Sequence, residues 1–67
     1  MFQIVVNGEE QEVRAGTTLA GLIEERRLSG KRVAIEVNEE IVPRSDHTEY
    51  QLQQGDRVEI VQAIGGG

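Results

Sequence analysis

Phe2, Ile4 and Val6 alternate with Gln3 and Val5, and the run leads straight into Asn7-Gly8. Both central residues of a type I′ turn need positive φ, which an Asn-Gly pair supplies, so this is the strongest short-range signal for a tight hairpin. The first thirteen residues are thereby assigned to two antiparallel strands. The return strand, Glu9 to Val13, is polar with Val13 its only apolar anchor. It reads as a sheet edge whose charges discourage edge-to-edge pairing.

One helix fits the remainder. Ala15-Gly16-Thr17-Thr18 is a turn into it, with Thr18, or else Thr17, as N-cap. Leu19, Leu22 and Ile23 share a face at helical spacing, Leu28 closes the far end, and Ser29-Gly30 is the stop, with Gly30 suited to the left-handed position past the cap. Gly21 stands where a capping box would carry an acid, and it costs about 1 kcal/mol relative to alanine. Val33, Ile35 and Val37 make a third strand, Asn38-Glu39-Glu40 a turn, and Ile41-Val42 a short strand ended by Pro43. Residues 44–54 read as irregular, anchored by Tyr50 and Leu52. Gln54-Gly55-Asp56 turns the chain into a last strand over 57–63, with Val58 and Ile60 on one face and Glu59, Val61 and Ala63 on the other. The order ββαββ(β) predicts an α+β domain, a mixed sheet of four to five strands packed on one main helix.

Size then limits function. The chain has 67 residues, and a domain of that length buries only roughly 60% of the surface its unfolded chain exposes. A core and a deep substrate cavity do not both fit, so the chain reads as a module acted on by larger partners, not an enzyme. It has no cysteine, which excludes a disulfide scaffold and a thiol nucleophile. Twelve acidic against seven basic residues leave a net charge of −5, a poor match to nucleic acid. Arg26, Arg27, Lys31 and Arg32 cluster where the helix should end, where cations suit the dipole. No apolar run reaches the length of a membrane span, and Met1 leads directly into the first strand with no basic leader. The expectation is a cytoplasmic protein that is a monomer on its own, bound to neither nucleic acid nor membrane.

Internal chemistry is sparse. His47 is the only histidine, and Asp46 and Glu49 beside it do not complete a metal site, so it reads as a solvated loop residue. Ser45, Asp46 and His47 have the residue types of a hydrolase triad but are adjacent, whereas a triad converges from separate elements. Glu24-Glu25 and Glu39-Glu40 read as solvated faces. No metal is expected. What remains is Gly65-Gly66-Gly67, a segment without side chains directly after the last strand. Glycine can lie extended in a slot too narrow for any other residue. The reading is a domain over 1–64 and a flexible glycine tail over 65–67, its carboxylate threaded into a partner's active site. Val61, Ala63 and Ile64 beside the tail are the candidate partner contacts.

Several stretches together resemble a known family: Ile4-Val5-Val6-Asn7-Gly8, the turn Ala15-Gly16-Thr17-Thr18-Leu19, Val33-Ala34-Ile35-Glu36-Val37-Asn38, Ile41-Val42-Pro43-Arg44, Gly55-Asp56 and Val58-Glu59-Ile60-Val61. The chain resembles the small ubiquitin-like sulfur carriers with the β-grasp fold, and within them the ThiS family of thiamine thiazole synthesis. The Val-Pro-Arg segment points to that branch. The resemblance implies that an E1-like adenylyltransferase of the ThiF type uses ATP to adenylate Gly67. A cysteine desulfurase relay then supplies sulfur, and the resulting thiocarboxylate feeds a thiazole synthase of the ThiG type. It implies no bound cofactor. Gly65, in a place where many relatives have another small residue, departs from the pattern. The sulfur carrier of molybdopterin synthase, a ubiquitin-like protein modifier and a non-covalent interaction module remain as alternatives.

Overall fold

The computed structural model describes residues 1–62. Five strands form one mixed sheet: β1 (Phe2–Val6), β2 (Glu9–Val13), β3 (Val33–Val37), β4 (Glu40–Val42) and β5 (Arg57–Gln62), in the order β2-β1-β5-β3-β4. β1 pairs parallel with β5, and the other three pairings are antiparallel. Among the described residues one α-helix, α1 (Leu19–Glu25), crosses one face. Its Leu19, Leu22 and Ile23 join Ile4, Val6, Val13, Ile35, Val37, Val42, Leu52, Val58 and Ile60 in one core. This is the β-grasp arrangement expected from the sequence. β2 is an edge strand, as its charges suggest, and β4 is the other edge.

The first turn of α1 has unusually complete partners for so short a helix. Thr18 Oγ1 accepts the Gly21 N–H at 3.1 Å. The N–H groups of Leu19 and Ala20 donate to the carbonyls of Tyr50 and His47, both at 3.0 Å. Those three donors have no partner within a helix, so the segment after Pro43 folds under the helix start to supply them. It does so through a 3₁₀ turn at Arg44–Asp46 and an isolated bridge between Thr18 and Gln51. This corrects the reading of His47 as a solvated loop residue. The side chain is buried, and its Nε2–H donates to the Val42 carbonyl at 3.0 Å. Tyr50, half-buried in the same segment, has its phenol pushed above the ordinary value by burial first and then by the Asp56 and Glu40 carboxylates.

The helix also ends a turn earlier than the Ser29-Gly30 stop. Arg26 is the cap, and Arg27, not Gly30, takes the left-handed position past it, at φ 59°. The Arg27 N–H donates to the Glu24 carbonyl at 3.0 Å and the Leu28 N–H to the Ile23 carbonyl at 2.9 Å, the two bonds of a Schellman motif. Leu28 packs against the core there. Arg26, within the basic cluster, reaches back to β2, where its Nη2 donates to Gln11 Oε1 at 2.9 Å.

Two hairpin turns share one geometry. Asn7 and Gly8 have φ 50° and 85°, and Asn38 and Glu39 have φ 52° and 71°. Glu40, assigned to the turn from sequence, is already in β4. Glutamate at a left-handed position is strained by about 1 kcal/mol, so Glu39→Gly should stabilise the domain. The expected gain in melting temperature is about 4–8 °C, measured by circular dichroism. An unchanged or lower midpoint would contradict the strain. The same turn is tied to β5: Asp56, buried, accepts from Asn38 Nδ2 at 3.0 Å and from the Gln53 N–H at 2.9 Å, while Asn38 Oδ1 accepts the Arg57 N–H at 3.0 Å.

Candidate functional site: the end of the last strand and the open sheet face

Because strand side chains alternate, the residues between the core positions point away from the helix. They make an open face: Gln3 and Val5 of β1, Arg57, Glu59 and Val61 of β5, Ala34 and Glu36 of β3, and Ile41 of β4. Register fixes who neighbours whom. Val61 lies opposite Ala34, Glu59 opposite Glu36, and Glu36 opposite Ile41. Val61 is 64% and Ile41 75% exposed. The result is a small apolar patch of Val61, Ala34 and Ile41, crossed by two facing carboxylates. Like charges placed directly opposite cost stability. Between Gly8, Glu39 and Arg57 the same face dips into a shallow hollow of about 250 Å³.

The placement of Val61 on the open face follows the alternation read from the sequence. Ala63 and Ile64, the other two candidate contacts, lie outside the described residues, as do Gly65, Gly66 and Gly67. Ala34 and Ile41 were not singled out from sequence. Their membership depends on a register across three strands, and no local pattern encodes that.

β5 changes character along its length. At Val58 it is central, paired with both β1 and β3. β1 stops at Val6, and at Val61 and Gln62 only β3 is paired with it. The strand that precedes residues 63–67 is therefore held on one side at its end. Among the described residues no cluster of three histidine, cysteine or acidic side chains is placed to hold a metal. No helix among the described residues is long and apolar enough to cross a membrane.

A model of the ThiS family matches residues 3–67. Thiazole synthase of Paramagnetospirillum magneticum is 42% identical over 66 residues, which are 98% of this chain and 20% of that protein. The chain thus spans about a fifth of that relative's length. The sulfur carrier protein ThiS of Escherichia coli is 32% identical over 66 residues, 98% of this chain and 100% of that one. Among solved structures, the crystal structure of the thiamine biosynthesis protein ThiS from Geobacter metallireducens superposes with a TM-score of 0.82 at 25% identity, covering 98% of this chain and 100% of that one.

Proposed function

Since this chain belongs to the ThiS family, we propose that it is the sulfur carrier of thiamine thiazole biosynthesis. The observation that carries the reading is the alignment with a whole sulfur carrier, end to end, on the same fold. The chain is a carrier and not a catalyst. Its reactive group is the Gly67 carboxylate, a poor electrophile until activated. An E1-like enzyme of the ThiF type joins it to AMP from ATP, releasing pyrophosphate. A persulfide sulfur from a cysteine desulfurase relay attacks the acyl carbon and breaks its bond to AMP. Cleavage of the sulfur–sulfur bond by a thiol leaves the thiocarboxylate. A thiazole synthase of the ThiG type accepts that sulfur. The likeness to a segment within a thiazole synthase supports this last partner, since the two parts there share one polypeptide. No cofactor stays bound to the chain itself, and the cytoplasm, where ATP and persulfide are made, is its place of work. The domain covers 1–64 and the threaded tail 65–67.

Incubation with ATP, the E1-like enzyme and a desulfurase should raise the protein's mass by the replacement of one oxygen with one sulfur, read by intact mass spectrometry. A ladder of conjugates would point to a protein modifier, and no change to an inert module.

The open face is the docking surface in this reading, with Val61 central and Ala63 and Ile64 continuing it. A cation from the partner would relieve the Glu36–Glu59 repulsion. Val61→Asp puts a third carboxylate beside that pair on a side chain that is 64% exposed. It should weaken binding to the activating enzyme about tenfold while the circular dichroism spectrum stays unchanged. Loss of the folded spectrum would make Val61 a core residue, and unaltered binding would move the docking surface elsewhere.

A further inference from the structure

We infer that the Asn7 carboxamide is a positioning group that holds the end of β5 from the β1 side, and so fixes the direction from which the chain is presented to the activating enzyme; this rests on the sulfur-carrier reading. Along the parallel pairing the Val5 N–H donates to the Asp56 carbonyl and the Asn7 N–H to the Val58 carbonyl, both at 2.9 Å. The next rung would need another β1 residue opposite Ile60. The backbone turns away at Asn7, with φ 50°. The side chain takes over instead. Asn7 Oδ1 accepts the Ile60 N–H at 2.8 Å, and Asn7 Nδ2 donates to the Ile60 carbonyl at 3.3 Å. A carboxamide has the same donor and acceptor as a peptide group, so one side chain extends the ladder by the rung that the turn removed.

The position of that rung matters for reach. Five residues follow Gln62, and five extended residues span at most about 18 Å. Without the Asn7 bonds, residues 60–62 hold to β3 alone. Val61 would keep its place opposite Ala34 on the open face, but a strand end held from one side only would present the carboxylate in many misdirected orientations. Docking through the open face would be unaffected. Asn7 is therefore expected to act on turnover, not on encounter.

Asn7→Gly tests this, because glycine keeps the positive φ of the turn and deletes only the carboxamide. Asn7→Asp keeps the shape and the acceptor for the Ile60 N–H but loses the donor to its carbonyl. Hydrogen exchange at the Ile60 amide should quicken about tenfold in the glycine variant, the size expected for loss of its partner, with Val37 in β3 unchanged. In ATP–pyrophosphate exchange with the activating enzyme, kcat should fall about tenfold, as for a misplaced reacting group, with KM for the carrier shifted less than about threefold. The aspartate variant should lie between. Adding Glu39→Gly restores global stability by another route, and kcat should stay low. Unchanged Ile60 exchange, a fall carried by KM, or recovery of kcat with Glu39→Gly would each overturn the inference. A wild-type chain that supports no exchange at all would overturn the sulfur-carrier reading and the presentation role together. A wild-type chain that is activated no better than Asn7→Gly would overturn this inference alone.

Discussion

Gly66→Ala should leave the melting curve unchanged and lower adenylation by about a hundredfold or more, the cost of displacing a reacting group by roughly an ångström. The substitution adds a single Cβ near the carboxylate, in a stretch of three residues without side chains. In the sulfur-carrier reading that stretch must enter a groove shaped for backbone alone, where a methyl group has no room. Docking should survive, since the substitution leaves the side chains of Ala34, Ile41 and Val61 on the open face unchanged. The signature is a lost kcat with a retained KM, the opposite of that expected for Val61→Asp. ATP–pyrophosphate exchange measured over a range of carrier concentrations separates the two. Wild-type rates for Gly66→Ala would mean that the groove tolerates side chains, and that the glycine run has some other cause.

Ile4→Ala should remove the folded state for most molecules at ambient temperature. Ile4 is fully buried in β1, at 0% exposure, facing α1 within the single core. Truncating a buried isoleucine costs about 3–4 kcal/mol, from lost transfer energy and the cavity left behind. A domain below about 70 residues has only about 3–5 kcal/mol to lose. With no disulfide available to support it, the variant should show a shallow, early melt by circular dichroism. A cooperative transition within a few degrees of wild type would mean that the core collapses onto the cavity far better than its packing suggests.

The features legible in the sequence were the local ones. The β1–β2 hairpin was read correctly because Asn7-Gly8 encodes its own turn. The Thr18 cap and the Leu19, Leu22, Ile23 face were legible for the same reason. The helix end was misplaced because Arg27 adopts a conformation that its chemistry disfavours, held there by the Ile23 and Glu24 carbonyls. No propensity argument would place an arginine there. His47 was misread because its burial depends on the segment after Pro43 folding beneath α1, a tertiary event. At the candidate site, alternation sufficed to put Val61 on the face opposite the core. The parallel pairing of β1 with β5, and hence the bond from Asn7 to Ile60, joins residues 53 positions apart and has no local signal.

That pairing has a consequence for how the protein is made. The centre of the sheet joins its earliest strand to its latest, with Val5 beside Arg57. Contacts this distant in the chain form late, because a long loop must close before they repay its entropy. A nascent chain can form the first hairpin and the helix early, but the sheet closes only once β5 has left the ribosome. A product cut short before Arg57 would leave Ile4, Val6, Ile35 and Val37 on an unfinished sheet and be open to proteolysis. Synthesis thus carries a built-in proofreading step: only a polypeptide translated through β5 acquires the closed sheet.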